Sequence, residues 1–140
     1  MTGSLLTYRG SVYPWHCDHM GHMNVMHYTG KFDEATWNLF SEVGMTSGYL
    51  KDNNRGMAAL DQTTKYMREL LPGDTVKIYT EILKFSDKIL EIEHAMIDNN
   101  SGEVAATTRI VGVYLDTRLR KSCPFDDNIM KNIQDFVDGS

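Results

Sequence analysis

The sequence predicts an α+β fold, an antiparallel sheet with one long helix packed against one face. Three observations predict it. The stretch from about Val25 to Val43 carries apolar residues at helical spacing. Four later stretches have strand composition or strict alternation, and most are joined by hairpin-length turns. Helix and sheet each need an apolar partner, and each supplies the other's. At 140 residues the chain has an ordinary domain size, so residues 1–140 are read as a single domain.

The elements follow in order. "YRGSVYPW" (Tyr8 to Trp15) reads as a first strand, rich in aromatic and β-branched residues, with Pro14 near its end. Asn24 is a good N-cap for the long helix. Met26, Phe32, Ala35, Leu39 and Val43 form its apolar stripe, and Gly44 stops it. "TSGYLKDN" adds a short helical turn. "MAALDQTTKYMREL" then runs into "LPGD", a Pro-Gly turn at Leu71 to Asp74. "TVKIYTEILKF" and "ILEIEHAMI" are two strands separated by Ser86 to Lys88. In the second, Leu90, Ile92, His94 and Met96 alternate with Glu91, Glu93 and Ala95, so one face is wet. His94, on the apolar face, is expected to be a hydrogen-bonded core histidine. After the turn "DNNSGE", "VAATTRIVGVYLD" is a long strand in which Gly112 marks a bulge or a close backbone approach. A short helix over 126–137 places Ile129, Ile133 and Phe136 on one side.

Composition excludes several classes of function. No uninterrupted apolar run exceeds four residues (Met57 to Leu60), so no spanning helix or export-signal core is expected. A cytoplasmic protein without a membrane partner follows as the expectation. The net charge of −5 opposes sequence-independent binding to nucleic acid. Cys17 and Cys123 stand far apart, and no disulfide is expected between them. "RLRK" (Arg118 to Lys121) is either a solvated strand end or an anchor for a phosphorylated ligand.

One stretch concentrates chemistry. "WHCDHMGHMNVMHY", Trp15 to Tyr28, holds four of the five histidines. A metal site is disfavoured, because Gly21 and the cap Asn24 put His16, His19 and His22 ahead of the helix, in no recognised ligand spacing. A Cys17 nucleophile is also disfavoured, since sequence neighbours in an extended segment point apart. The third reading joins Asp18 to the helix start. Free N–H groups there can hold a carbonyl oxygen that gains negative charge, while a nearby carboxylate attacks or activates water. Gly21 lets the backbone turn between the two. An Asp18 that only hydrogen-bonds the turn fits the residues equally.

"DHMGHMN" followed by "HYTGKFDEATW" resembles the Asp-x-x-Gly-His-x-Asn…Tyr signature of hotdog-fold acyl-CoA thioesterases of the 4-hydroxybenzoyl-CoA thioesterase type. The order of elements, and "YMRELLPGD", match that family along nearly the whole chain. The resemblance implies a five-stranded antiparallel sheet wrapped around one long helix, plus a short C-terminal helix. It implies hydrolysis of an acyl-CoA to a carboxylic acid and coenzyme A, with no metal and no cofactor. Asp18 would be nucleophile or general base, and the Val25 backbone N–H would polarise the thioester. His22 and Asn24 would shape the turn, and Gly21 and Tyr28 would contact substrate; Tyr66, by its place ahead of the "LPGD" turn, is a further candidate contact. Arg120 and Lys121 would meet the coenzyme A phosphates. Members form homodimers or homotetramers with active sites at subunit interfaces. Some branches place the base elsewhere, near Glu34, Asp61, Thr63 or Thr64 in this chain. A hotdog enoyl-CoA hydratase or dehydratase and a non-catalytic acyl-CoA binding module are the alternatives. Short aliphatic, aromatic and quaternary-ammonium acyl groups all stay open. Met20, Met23 and Met26 are either pocket lining or core filler.

Overall fold

The computed structural model describes residues 4–139. Strand β1 (Ser4–Ser11) leads through a 3-10 turn at Pro14–His16 to helix α1 (Val25–Glu42) and a short helix α2 (Ser47–Asp52). Strands β2 (Arg55–Tyr66), β3 (Thr75–Phe85), β4 (Ile89–Asp98) and β5 (Val104–Asp116) follow. A two-residue β6 (Lys121–Ser122) and helix α3 (Asp127–Val137) complete the fold. The strand order is β1-β3-β4-β5-β2, antiparallel throughout, with β6 paired to β5. The sheet wraps α1 in the hotdog arrangement that the family resemblance implies. Among the described residues no helix is long and apolar enough to cross a membrane.

Helix α1 forms because Asn24 caps it and one stripe of it is apolar. The Asn24 Oδ1 accepts the Met26 N–H at 3.0 Å, and Gly44 takes the left-handed φ of 91° that ends the helix. Tyr28, Phe32, Ala35 and Leu39 face the sheet and are buried. Truncating fully buried Phe32 to Ala would cost about 3–5 kcal/mol. The apolar interior has two parts. Leu39, Val43, Ile82, Leu90, Tyr114 and Ile129 pack under α3. Met23, Tyr28, Phe32, Leu70, Ile78 and Met96 pack beneath the start of α1. The second part anchors the segment that carries Asp18.

Two expectations are corrected, and a third is narrowed to one of its alternatives. The first strand begins at Ser4 and ends at Ser11, and Pro14 opens the 3-10 turn instead of closing the strand. Its fixed φ suits the first position of a helical turn. Met26 lies outside the apolar stripe and is 65% exposed. Two residues of helix rotate it about 200° from Tyr28, onto the opposite face. The irregularity near Gly112 belongs to the partner strand, where the register slips between Ala59 and Asp61. Gly112 itself is a close approach, since a Cβ there would lie 3.1 Å from the Met57 side chain.

His94 is the expected core histidine. Its ring is fully buried between Thr80 Oγ1 (2.5 Å from Nδ1) and Thr36 Oγ1 (2.7 Å from Nε2), and it stacks on Phe32. Burial lowers its pKa from 6.5 to about 4, which keeps it neutral.

Candidate active site

The segment from Cys17 to Asn24 is a tight turn bound at both sides. Cys17 bridges Met23, the Asp18 N–H donates to His22 O at 3.1 Å, and the Gly21 N–H donates to Asp18 O at 3.0 Å. Gly21 sits at φ 85°, which favours glycine at this pivot. The Met23 N–H donates to Leu70 O and the Asn24 N–H to His16 O. Thus the turn is fixed between the 3-10 turn and the connection that follows β2.

Both carboxylate oxygens of Asp18 are held. Oδ1 accepts the Met20 N–H at 2.9 Å, and Oδ2 accepts the Asn24 side-chain amide at 3.1 Å. The Met20 bond first, then the Asn24 bond, hold the Asp18 carboxyl below the usual carboxylate range, so it is ionised at neutral pH. Asn24 has two tasks. Its Oδ1 caps α1, which leaves its amide nitrogen facing Asp18. Sequence reasoning found the cap but missed this tether.

The start of α1 is open. Met26 N–H is taken by the cap and His27 N–H by Asn24 O, whereas Val25 N–H has no acceptor among the described residues. Val25 is 56% exposed. A carbonyl oxygen placed there would meet an unused donor at the positive end of an 18-residue helix.

Next to this donor lies a cleft of about 340 Å³ lined by His22, Val25, Tyr28, Tyr66, Arg68 and Glu69, among others. Tyr28 is buried, packs edge-on against Tyr66 at 5.2 Å, and donates its hydroxyl to Arg68 O at 2.9 Å. Burial pushes its pKa up to about 12, so it serves as a neutral donor and a wall. The structure therefore gathers Asp18, Gly21, His22, Asn24, Val25, Tyr28 and Tyr66 at one end of the molecule. The His22 ring turns toward Glu69, with Nε2 at 3.2 Å from Oε2, and not toward Asp18. Glu69 escaped sequence reasoning, as nothing local links it to the histidine-rich segment.

Other candidates fall elsewhere. Arg120 and Lys121 stand beyond the C-terminal end of β5, whereas Tyr66 pairs with Ala106 near its start, so one chain does not bring them to Asp18. Arg120 adopts φ 57° and its N–H closes a turn onto Asp116 O. His16 packs on His27 at 4.7 Å and accepts the Tyr13 N–H through Nδ1. Its pKa is lowered by burial, then by Lys31 and His27. Among the described residues no group of three His, Cys, Asp or Glu is placed to hold a metal ion. Both cysteines are free thiols.

With this geometry in place, the likeness to known proteins is specific. Residues 12–133 match the model of the thioesterase-like superfamily. The chain is 25% identical over 134 residues to a betainyl-CoA thioesterase of Pseudomonas aeruginosa, covering 96% of this chain and 84% of that protein. It is 24% identical over 114 residues to an L-carnitine dehydrogenase/betainyl-CoA thioesterase of Agrobacterium fabrum. That match covers 81% of this chain but only 23% of the longer protein. A Staphylococcus aureus hypothetical protein solved in complex with CoA superposes with a TM-score of 0.92 at 20% identity, covering 100% of this chain and 88% of that one.

Proposed function

This chain belongs to the thioesterase-like superfamily, and from that premise we propose that it hydrolyses an acyl-CoA thioester through Asp18 and the N-terminus of α1. The observation that carries the reading is the Asn24 side chain, which joins the Asp18 carboxylate to a helix start whose first N–H is unused. The thioester carbonyl oxygen accepts the Val25 N–H. As the carbonyl carbon becomes tetrahedral, its oxygen gains charge against the helix dipole. Asp18 either attacks that carbon, giving an anhydride that water then cleaves, or takes a proton from the attacking water. In both courses the C–S bond breaks, and coenzyme A leaves as a thiolate that is then protonated. Where water attacks the acyl carbon, the acid product keeps the oxygen from water. Tyr28 and Tyr66 form the wall beside the reacting carbon, and His22 and Glu69 form the rim.

The same reading makes the protein a homodimer or a dimer-based tetramer. Among the described residues strand β2 pairs with β5 alone, and its other edge is open over 12 residues. Such an edge calls for a partner, and Leu60 and Tyr66 stand exposed along it. Arg120 and Lys121 then serve the coenzyme A phosphates of a site to which another copy contributes. The hydratase alternative draws no support from His22, whose ring pairs with Glu69.

The test is thiol release from a panel of acyl-CoAs. Asp18→Asn retains an acceptor for Met20 but loses the charge. The expected result is turnover by the wild type and a loss of about 10²–10⁴ in kcat for Asp18→Asn. Full activity of that variant would eliminate the mechanism. Tight ligand binding without thiol release would make the protein a binding module.

A further inference from the structure

A second cavity lies between α1 and the first half of β2. It encloses about 200 Å³ and is lined by Thr29, Asp33, Trp37, Phe40, Met57 and Gln62, among others. Thr29 is one helical turn beyond Val25, and Asp33 is two, so the cavity continues the stripe that begins at the proposed oxyanion donor. Its walls are mainly apolar, and among the described residues Asp33 is the one charged residue lining it. The Asp33 carboxylate has no hydrogen bond or ion pair among the described residues. Glu34, the next residue, lines a different hollow with β1. Trp37 stands half exposed beside Asp33 and meets Phe40 edge-to-face at 5.8 Å. An unpaired carboxylate beside aromatic faces, with no competing cation, is the chemistry that selects a positively charged group.

The spacing sets how far that charge lies from the thioester. Eight residues of helix separate Val25 from Asp33 by about 12 Å, and the N-terminal lean of side chains shortens this to roughly 10 Å. Allowing about 4 Å for the contact between charges leaves roughly 6 Å of acyl chain, about five bonds at ~1.2 Å each. A trimethylammonioacetyl group, two bonds long, stops well short.

Resting on the thioesterase reading above, we propose that Asp33 and Trp37 bind the cationic end of an acyl chain whose positive charge lies about five bonds from the thioester carbonyl. The Asp33 carboxylate faces the charge, and the Trp37 ring covers its alkyl groups.

The experiment compares isosteres. One pair is 5-(trimethylammonio)pentanoyl-CoA and the uncharged 6,6-dimethylheptanoyl-CoA, which differ by N⁺ in place of C. A short pair is trimethylammonioacetyl-CoA and 3,3-dimethylbutanoyl-CoA. Values of kcat/KM are measured for the thioesters. Binding of analogues with CH₂ in place of the thioester sulfur is measured by calorimetry. The long cation should be preferred over its isostere by about tenfold, and the short cation by less. Asp33→Asn should bring the long-pair ratio close to one, and Trp37→Leu should lower it about threefold; both side chains are exposed, so both variants should fold. A long-pair ratio near one in the wild type, or one that Asp33→Asn leaves unmoved, overturns the proposal. A greater preference for the short cation, or for a phenolic acyl group such as 4-hydroxybenzoyl, also overturns it. If no thioester is cleaved but the analogues keep the preference, the thioesterase reading fails and this site stands. If the analogues do not bind and nothing is cleaved, both fail.

Discussion

Replacing Asn24 with Ala removes two contacts at once, and the two have separable consequences. The first is the helix cap, a 3.0 Å bond from the Met26 N–H to Oδ1. Losing an Asn cap costs about 1 kcal/mol, within a range of roughly 0.5–2. For a chain of this size that lowers Tm by about 3–6 °C. The second is the 3.1 Å bond from the Asn24 amide to Asp18 Oδ2, which helps to depress the Asp18 pKa. Only the ionised carboxylate can attack or accept a proton, so activity is lost as pH falls through the folded-state pKa. Removing a bond to the charged form raises that pKa, and the acid limb of the rate profile moves to higher pH. Asn24→Asp separates the effects. It keeps an oxygen to cap Met26, yet sets a second carboxylate against Asp18, so its Tm should fall less while its acid limb moves farther. The assays are thermal unfolding at pH 7 and kcat/KM for thiol release across the acid range. A fall in Tm for Asn24→Ala with an acid limb superposable on the wild type's in both variants would refute the tether and leave Asn24 a cap alone.

Two further outcomes follow from the geometry. Because His94 has a folded pKa lowered from 6.5 to about 4, the unfolded chain binds the extra proton between these values. Stability associated with this group is complete above pH 6.5 and declines as pH falls toward 4, by about 3 kcal/mol. Urea unfolding at pH 7 and pH 4.5 should show this decline, and His94→Gln should remove most of the difference; an equal decline in the variant would contradict it. At the open edge of β2, Leu60 is 61% exposed. Burying a leucine contributes about 1.5–3 kcal/mol, and a two-fold interface counts it twice, so Leu60→Lys should weaken self-association by about 10²–10³ or more. Light scattering over a dilution series checks this, and a monomeric wild type would refute the dimer.

Much of this was legible in the sequence, for physical reasons that also mark where legibility stopped. Phe32, Ala35 and Leu39 show the buried face of α1, and Leu90, Ile92, His94 and Met96 show that of β4, because burial on one side imposes the period of the element. Gly44 and Gly73 mark real turns, both at positive φ. Met26 was misplaced because it lies six residues before Phe32, and that spacing does not return to one helical face. Strand β2 carries little alternation, since all of it is partly or fully exposed along an edge that has no partner among the described residues. The end of β1 was misjudged because aromatic composition suits both a strand and the stacked Tyr13 and Trp15 of the 3-10 turn. In the site, Asp18, Gly21 and Asn24 were readable because the turn is local. Glu69 beside it, and Asp33 in the proposed second cavity, were not, for their surroundings exist only once β2 has folded back along α1.

The proposed hydrolysis depends most on the Val25 N–H as the donor to the thioester oxygen, and one substitution removes that atom with little else. Proline is favoured at the first position of a helix, and Asn24 already has the extended backbone (φ −70°, ψ 148°) that a following proline requires. Val25→Pro should therefore fold with a Tm close to that of Val25→Ala, which loses a similar side chain but keeps the N–H. Single-turnover thiol release should then be about 10²–10³ slower in Val25→Pro than in Val25→Ala. Equal rates in the two variants would contradict the role of the Val25 N–H as that donor.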